Sequence, residues 1–296
     1  MPAPTPTISI GMPVLNGAAH LEQAIRSIRQ QSFTDFELII SDNGSSDATA
    51  DIIARHAAED PRLHPVRQSH NIGGLANFRY VLEAARGQYF MWAAYDDWHD
   101  PNYLECLHDA LAADPDKQMA IPTVVRVIPD GSHAEITAIP DLSRRPRWQR
   151  VPRLLKRSRG GSIYSLFRRA AILDAYLRAE RDFPYVWAAD HLTILPFLIN
   201  DRAVSVAQTR FFNRDTGMSE DRYRPLSAGQ LWPYLGRFLG FAMREILRSR
   251  LNPAEKAICL AYLPVYTNGK AIKWRRLLKQ TVGAPFLRTE ARELLK

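Results

Sequence analysis

The sequence contains few cysteines and no long apolar run. Cys106 and Cys259 are the two cysteines in 296 residues, and no CxxC pair or histidine spacing indicates a zinc site. A disulfide framework is therefore not expected, and a reducing compartment fits. No apolar run approaches the ~20 residues of a membrane span. The N-terminal MPAPTPTISIG lacks the basic-then-apolar pattern of a signal peptide, so we expect a cytoplasmic protein.

The composition is that of a globular protein with an uneven excess of positive charge. Hydrophobic residues make up 46% of the chain, and the length suits one large α/β domain with an appendage or two domains. The net charge is +8, with arginine- and lysine-rich segments at 144–169 and 270–279. Such segments can bind nucleic acid, anionic lipid or phosphorylated small molecules, and charge alone does not choose among them.

The first part of the chain predicts strands and helices in alternation. Buried strands are predicted at 7–14, 36–41, near Val66 and at 88–94, and helices at 17–32, 48–58, 75–85 and 102–113. This order is typical of parallel βαβ units in a doubly wound, mainly parallel α/β sheet that is flanked by helices.

The second part of the chain is less regular. We predict strands at 119–128 and 203–212, a strand running into a helix at 163–172, a helix over 186–200 as far as the region of Pro196, and a long basic loop at 141–160. Beyond about residue 225 the pattern is helical, at 227–249 and 253–268. The predicted organisation is a domain at 1–222 with a helical C-terminal extension at 223–296.

Polar side chains follow three of the predicted strands where each strand ends. These clusters are Pro13–Asn16, Asp42–Gly44 and the adjacent carboxylates Asp96 and Asp97. Ligands of doubly wound sheets bind at the carboxyl ends of the strands, so we expect the three clusters to share one crevice. Two adjacent carboxylates suit a hard divalent cation that also binds water and substrate phosphates. The alternative is that Asp97 or Asp100 only caps the following helix.

Two segments resemble the N-terminal half of family 2 glycosyltransferases. The first is ISIGMPVLNGAAHLEQAIRSIRQQSFTDFELIISDNGSSDAT, with its P-x-x-N, D-F-E-L-I-I and D-N-G-S-x-D-x-T elements in order. The second is HNIGGLANFRYVLEAARGQYFMWAAYDDWHDPNYLE, which is similar to the family's N-x-G segment followed by its D-x-D-type motif. The resemblance is specific over roughly residues 7–112 and weaker to about 220.

The resemblance implies a GT-A fold and transfer of a sugar from a UDP- or dTDP-sugar with inversion at the anomeric carbon. Pro13, Leu15 and Asn16 would then line the base pocket. Asp42 and Asn43 match the pair that recognises uracil or thymine, although the family often has a second Asp at the position of Asn43. The remaining donor-side matches would form a loop beside the ribose and base, and they are Asn71, Gly73 and Asn77. The alternative for this loop is a simple turn and helix cap.

The resemblance also implies a metal site with fewer carboxylates than usual. The first Asp of the family's D-x-D motif aligns with Ala94, so Asp96 and Asp97 remain. We expect these two to hold Mg²⁺ or Mn²⁺ against the diphosphate, where the cation acts as a Lewis acid.

An inverting displacement needs one general base to deprotonate the acceptor hydroxyl. The segment VWAADHL resembles the family's A-A-D-x-x-L segment, which makes Asp190 the candidate base. The alternative is an ordinary charged helix residue that pairs with His191. His191 itself is expected to be structural.

Two further segments resemble acceptor-side and diphosphate-side parts of the family. In GGSIYSLFRRAAIL, Gly160 and Gly161 would let the backbone approach a sugar, and Arg168 would contact a phosphate or pair with an acid. In FFNRDTGMS, Arg214 fits a diphosphate contact. No histidine follows it, so a third metal ligand from this loop is not expected.

Two basic segments leave alternatives open. Residues 144–159 fit either a lid that orders on donor binding or a solvated basic loop. The C-terminal segment could rest on an anionic membrane or pack by its apolar face on the catalytic domain. It places Trp274 among Lys270, Lys273, Arg275, Arg276 and Lys279.

The leading hypothesis is a metal-dependent inverting glycosyltransferase of surface polysaccharide synthesis. Its partners would be a nucleotide-sugar donor and a glycan or lipid-linked acceptor, at the inner membrane face. A catalytically silent nucleotide-sugar-binding or scaffold protein on the same fold is the alternative, because Ala94 replaces a carboxylate. A nucleic-acid-binding role is not expected, because the arginines form no recognisable motif and the acidic strand ends would repel phosphate.

Overall fold

Strands and helices alternate through the first part of the chain, as the sequence predicts. The structure is a computed structural model that describes residues 5–139, 142, 145–216, 227–275 and 277. Its first elements are β1 (Ile8–Val14), α1 (Leu21–Arg29), β2 (Phe36–Asp42), α2 (Thr49–Glu59), β3 (Leu63–Arg67), α3 (Gly74–Ala84), β4 (Tyr89–Trp92), β5 (Trp98–His99) and α4 (Tyr103–Ala113).

The second part adds strands to the same sheet and ends in helices. Its elements are β6 (Met119–Val127), β7 (His133–Thr137), α5 (Arg147–Arg157), a 3₁₀ helix (Gly160–Tyr164), β8 (Leu166–Arg168), α6 (Arg169–Asp182), α7 (Ala189–Ile199), β9 (Ala203–Arg214), α8 (Ala228–Arg248) and α9 (Pro253–Lys270). Within the described residues, none of these helices combines the length and the apolar character that a membrane crossing requires.

The described strands form one mixed sheet in the order β3-β2-β1-β4-β8-β6-β9-β5, with β7 paired to β6. The four strands β1 to β4 are mutually parallel, as predicted, with β1 between β2 and β4. Antiparallel pairing enters at β8, which lies between β4 and β6. The predicted α/β architecture, with helices on the sheet and a helical C-terminal part, is confirmed.

Strand residues alternate between two apolar cores, one on each face of the sheet, because successive side chains of a strand point to opposite faces. Ile8, Ile10 and Met12 of β1 pack in the core that contains α1, α2 and α4. Phe90 and Trp92 of β4 pack in the other core, which contains α3, α5, α6 and α7. Residues of α8 and α9 belong to this second core, so the C-terminal helices share the hydrophobic interior of the sheet domain.

Several expectations about individual segments differ from the structure. The segment predicted as a long basic loop contains α5, whose apolar residues Val151, Leu154 and Leu155 are buried in the second core. Helix α7 continues through Pro196 to Ile199. The predicted domain boundary at 222/223 lies outside the described residues and stays a prediction.

Asp100 does not cap α4. Asn102 occupies the N-cap position, and the Asp100 carboxylate instead accepts two hydrogen bonds from the Arg210 guanidinium, at 2.8 and 3.0 Å. Because Arg210 lies on β9, this ion pair joins the residue that follows β5 to the strand with which β5 pairs.

Helix α3 lies unusually close to β1 at Gly11. A Cβ atom at this position would lie 2.6 Å from Cγ2 of Val81 and 2.9 Å from the ring of Phe90. The Asn77 side chain fixes the same helix to β2, since its amide accepts from Ser41 Oγ at 2.6 Å and donates to Ser41 O at 3.0 Å. The close packing of α3 therefore requires a glycine in β1.

We expect Gly11→Ala to lower the free energy of unfolding by about 1–3 kcal/mol, because overpacking a dense core forces neighbouring atoms apart. Urea denaturation of the purified protein measures the change. Gly236→Ala in α8 is the control, because nothing lies within 4 Å of its added Cβ. A stability of Gly11→Ala equal to that of the wild type would contradict the close packing of α3 on β1.

Candidate active site

The carboxyl ends of β1, β2 and β4 bring the three predicted polar clusters to one edge of the sheet. Val14 at the end of β1 is paired with Asp42 at the end of β2. Gly11 O accepts a hydrogen bond from Ala93 N, which keeps the chain after β4 beside β1. A Cβ atom at Gly17 would lie 2.7 Å from Cδ2 of Tyr95, so the loops after β1 and β4 are in contact. We name this edge the crevice, formed by residues 13–17, 42–46, 68–73 and 95–97.

The Asp42 carboxylate is buried in the crevice with one oxygen lacking a hydrogen bond. Its side chain is 2% exposed, and Oδ1 accepts from Ser45 N at 2.9 Å. Oδ2 is buried, has no hydrogen-bond partner among the described residues, and lies 3.5 Å from Nε of the exposed Arg67. A buried polar atom without a partner is uncommon in folded proteins and indicates a ligand or water. Oδ2 therefore keeps lone-pair capacity for one further donor.

Asn43 uses its side chain within the protein. Its Oδ1 accepts from Ile72 N at 2.9 Å, and its Nδ2 donates to Asn71 Oδ1 at 3.0 Å. Asn71 Oδ1 also accepts from Gly73 N at 2.8 Å. The structure therefore places Asn43 as a brace for the loop after β3, and leaves Asp42 as the acceptor of the pair that retains a free oxygen.

The loop after β3 ends in a glycine that its backbone requires. Gly73 has φ +89° and precedes α3, and nothing lies within 4 Å of a Cβ added there. The conformation, rather than space, accounts for the glycine. Asn77, one turn into α3, is 2% exposed and uses its amide on Ser41, so the structure does not bring it to the surface of the crevice.

The loop after β1 is fixed to the loop after β2. Pro13 is buried in β1, Leu15 is half-buried and Asn16 is exposed. Asn16 has φ +53°; its N–H donates to Ser45 Oγ at 2.8 Å and its Oδ1 accepts from Ser46 N at 2.9 Å. The left-handed conformation suits asparagine better than most residues. These bonds give the crevice a rigid rim beside Asp42.

Asp97 is buried and held by the end of β9. It is 2% exposed; Oδ1 accepts from Arg214 N at 2.7 Å and Oδ2 accepts from Asn213 Nδ2 at 3.0 Å. The Arg214 guanidinium donates from Nε to Asp96 O at 3.0 Å and from a terminal nitrogen to Gln23 Oε1 at 2.5 Å. It also lies 5.0 Å from the centre of the Trp98 ring. Arg214 is therefore placed at the Asp96–Asp97 pair.

Burial raises the pKa of both carboxyl groups of the pair. For Asp97 burial is the largest cause, and the negative charge of Asp96 adds to it, so that the pKa is raised to about 8. The hydrogen bonds from Arg214 and Asn213 act in the opposite direction. Burial also raises the pKa of Asp96, against the charges of His20 and Arg214. Two crowded carboxylates that resist joint ionisation favour a bound cation.

The pair fits a divalent cation as two of its ligands rather than as a complete cage. No group of three or more His, Cys, Asp or Glu side chains among the described residues is arranged to hold a metal. Mg²⁺ commonly takes one or two protein carboxylates and fills its remaining positions with water and substrate phosphates, and Mn²⁺ prefers the same oxygen ligands. Each Asp97 oxygen accepts one hydrogen bond and keeps lone-pair capacity for such a cation.

Asp190 lies in the first turn of α7, where the helix dipole favours a negative charge. Its Oδ2 is so close to Gly160 that any side chain at that position would collide with it. Burial raises the pKa of Tyr164, and the negative charges of Asp97, Asp96 and Asp190 raise it further. The charges of all three carboxylates therefore act on one buried phenol.

His191 and Arg168 have internal roles. Burial lowers the pKa of His191, and its ring packs edge-on against Tyr266. The prediction for Arg168 was a contact with a phosphate or an acid. Its guanidinium instead donates to two backbone carbonyls, Lys117 O at 2.8 Å and Leu111 O at 2.8 Å. A Cβ atom at Gly161 would lie 3.2 Å from Val124, and one at Gly160 would collide with the Asp190 carboxylate; an approach of a sugar to these glycines stays a prediction.

Sequence reasoning missed three residues of this site. Asn213 and Gln23 contact Asp97 and Arg214 across 116 and 191 residues of sequence, and the charges of the three carboxylates raise the pKa of the buried Tyr164. The segment FFNRDTGMS contains Asn213 next to Arg214, and an amide there is the one local signal for it. Nothing near Gln23 in the sequence marks it.

A family model described as "Glycosyl transferase family 2" matches residues 9–172, more than half of the chain. TuaG of Bacillus subtilis (strain 168), a glycosyltransferase provisionally assigned to teichuronic acid biosynthesis, is 32% identical over 100 residues, which are 34% of this chain and 40% of TuaG. The matched regions span less than half of the length of the curated relatives.

Solved structures share the fold. S. aureus TarS 1–349 in complex with UDP-GlcNAc has a TM-score of 0.64 and 17% identity, and the match covers 88% of this chain and 72% of TarS. The mannosyltransferase PcManGT of Pyrobaculum calidifontis, in complex with GDP-Man and Mn²⁺, has a TM-score of 0.52 and 18% identity, with 99% and 80% coverage. These similarities establish the GT-A-type fold of the chain.

We expect Asp96→Asn to raise the thermal midpoint at pH 8 without metal by a few degrees, because it removes one of two crowded negative charges. The same change should reduce the stabilisation that Mn²⁺ gives the wild type, since a ligand that binds the folded state raises its stability. Differential scanning fluorimetry with and without Mn²⁺ measures both effects.

Asp100→Asn, on the same loop, is the matched control. It breaks the ion pair with Arg210 and should lower the midpoint while leaving the Mn²⁺ effect unchanged. Equal stabilisation of wild type and Asp96→Asn by Mn²⁺ would contradict a cation site at the pair.

Proposed function

The chain belongs to glycosyl transferase family 2, and from this premise we propose that it transfers a sugar from a UDP- or dTDP-sugar to a hydroxyl group of a glycan, with inversion at the anomeric carbon. The single observation that carries the proposal is the buried Asp42 Oδ2, which accepts no hydrogen bond among the described residues and lies at the same sheet edge as the Asp96–Asp97 pair. A base acceptor and an acidic pair at one edge suit the two ends of a nucleoside diphosphate.

Asp42 supports a donor whose base presents a ring N–H. Uracil and thymine present N3–H, and the carboxylate can accept it without displacing an existing hydrogen bond. Asn43, held by Asn71 and Ile72, would keep the loop after β3 in place beside the base. Guanine also presents a ring N–H, and PcManGT was solved with GDP-Man. A GDP-sugar therefore belongs in the experimental panel.

Asp96 and Asp97 would hold Mg²⁺ or Mn²⁺ between the protein and the donor diphosphate. When bound, the cation offsets negative charge on the leaving nucleoside diphosphate. Asn213 and the Arg214 backbone orient Asp97 by hydrogen bonds. The Arg214 guanidinium adds a fixed positive charge beside the pair and would contact a diphosphate oxygen.

Asp190 is the proposed general base. One oxygen of its carboxylate would accept the proton of the acceptor hydroxyl, as the acceptor oxygen bonds to the anomeric carbon and the bond to the diphosphate breaks. Its place in the first turn of α7, beside the backbone of Gly160, supports this role. General base catalysis contributes roughly 10²- to 10⁴-fold to such reactions.

The proposed acceptor is a glycan or lipid-linked glycan of surface polysaccharide synthesis, in keeping with the biosynthetic role named for TuaG. The proposed location is cytoplasmic, peripheral at the inner membrane face. Helix α5 supports a contact with anionic lipid, since Arg153, Lys156 and Arg157 are exposed and Trp148 is 52% exposed. Beside it, α9 exposes Ile258 and Val265.

The C-terminal basic segment contributes less to that contact than its sequence implies. Trp274 donates from its indole to Pro264 O at 2.9 Å, and Lys270 donates to Ser158 O. Lys273 and Arg275 are exposed, whereas Arg276 and Lys279 lie outside the described residues. A lid at 144–159 stays a prediction, with α5 as its ordered part.

The function is tested with UDP-, dTDP- and GDP-sugars, each incubated with Mn²⁺, by release of the nucleoside diphosphate with and without glycan acceptors. We expect turnover of a UDP- or dTDP-sugar that Asp190→Asn reduces roughly 10²- to 10⁴-fold in kcat. Binding of UDP, measured by calorimetry, should be unchanged in that variant, because Asp190 lies outside the crevice.

Asp109→Asn is the control, an exposed carboxylate on α4. Full activity of Asp190→Asn would refute its role as the base. Donor binding without turnover on any acceptor would favour a catalytically silent protein. This is the alternative that the replacement of a carboxylate by Ala94 suggests.

The lipid contact predicts that the protein sediments with vesicles that contain phosphatidylglycerol and not with phosphatidylcholine vesicles. Lys156→Ala and Arg157→Ala should each weaken binding by about 1 kcal/mol, the contribution of one basic residue near an anionic surface. Arg181→Ala, an exposed basic residue on α6, serves as the control. Equal sedimentation with both kinds of vesicle would argue against an electrostatic contact.

A further inference from the structure

The last turn of α9 contacts the segment that carries Asp190. Tyr266 OH donates to His191 O at 3.0 Å, one residue after Asp190. Ala271, which follows α9, accepts the Trp187 indole N–H at 3.1 Å, three residues before Asp190. The hydroxyl of Tyr234 on α8 lies 3.3 Å from Trp187 O and 3.4 Å from Ala271 O. The C-terminal helices therefore hold the backbone on both sides of Asp190.

The segment before Asp190 needs such support. Ala188 has φ +65°, a left-handed conformation that costs a non-glycine residue roughly 1–2 kcal/mol. It occupies the N-cap position of α7, and its side chain makes no capping hydrogen bond. Strained backbone of this kind persists where the surrounding structure fixes it. The bonds from Trp187 and to His191 bracket the strained residue.

The C-terminal end of α9 also contacts the chain segment that packs against the Asp190 carboxylate. Asp190 Oδ2 packs against Gly160, and Lys270 donates to the carbonyl of Ser158, two residues before that glycine. Tyr266 and Lys270 are one helical turn apart on α9. One turn of α9 thus contacts both chain segments between which the carboxylate sits.

We propose that Tyr266 is a positioning residue for Asp190, and that the C-terminal helices contribute to the transfer step by fixing the general base. The proposal rests on the function proposed above, in which Asp190 is that base. A loss of positioning should slow the chemical step and leave the donor site unchanged, because the crevice is built from the loops after β1 to β4. Misplacing a catalytic group by about 1 Å can cost up to roughly 100-fold in rate.

The test compares Tyr266→Phe with Tyr262→Phe. Tyr266→Phe removes one hydroxyl and keeps the buried ring, so the fold should be retained. Tyr262 is half-buried, lies one turn earlier on the same helix and serves as the matched control. The probe is release of UDP from UDP-GlcNAc in Mn²⁺, with water as acceptor, measured as kcat and KM, beside calorimetric UDP binding and the thermal midpoint.

We expect Tyr266→Phe to lower kcat about tenfold, with KM for UDP-GlcNAc and UDP affinity unchanged, and Tyr262→Phe to match the wild type. Equal loss of kcat, UDP affinity and thermal midpoint would overturn the proposal in favour of a general structural role. An unchanged kcat in Tyr266→Phe, while Asp190→Asn abolishes turnover, would overturn the positioning role and leave the proposed function standing.

A crystal structure of Tyr266→Phe tests the proposal without any turnover. We expect the Asp190 carboxylate to move away from Gly160 or to occupy more than one position. An unmoved carboxylate would overturn the proposal. Should Asp190→Asn keep full activity, the base assignment itself fails, and this outcome is distinct from a failure of Tyr266 alone.

Discussion

The site depends on the hydrogen bonds that the buried Asp97 carboxylate accepts from the end of β9. They join the loop after β4, in the part of the chain that resembles family 2 glycosyltransferases, to β9 in the other half of the sheet. The ion pair between Asp100 and Arg210 fastens the same loop a few residues farther on. The pairing of β5 with β9 adds to these contacts, and together they keep two like charges at the sheet edge, where burial already opposes their ionisation.

This arrangement places opposing demands on one loop. A partly desolvated pair of carboxylates lowers the stability of the folded state in the absence of a cation, and the neighbouring Arg214 offsets only part of that loss. The same pair is the one proposed to hold a metal against a diphosphate. The strained backbone at Ala188 is a second example, because it places a carboxylate at the start of α7 and relies on the C-terminal helices for support.

Much of the fold was predictable because its signals are local. The alternation of buried strands with helices through α4 follows from periods of 2 and 3.6 residues, and both C-terminal helices were predicted within about two residues. The segment 141–160 was wrongly predicted to be a loop, because its many arginines obscure the apolar stripe of α5. That stripe consists of Val151, Leu154 and Leu155. The two-residue strand β5 is too short to leave a pattern.

The sequence by itself determined the parallel strands β1 to β4, the three polar clusters at their carboxyl ends and the family resemblance, because each depends on residues close together in the chain. Tertiary structure decided how those residues are used. Asn43 hydrogen-bonds the loop after β3, whereas Asp42 Oδ2 accepts no hydrogen bond among the described residues. The fold also brings Arg214 to Asp97 across 117 residues. It also set Tyr266 beside Asp190. Such partners meet only when the sheet closes and the helices pack, so no local pattern records them.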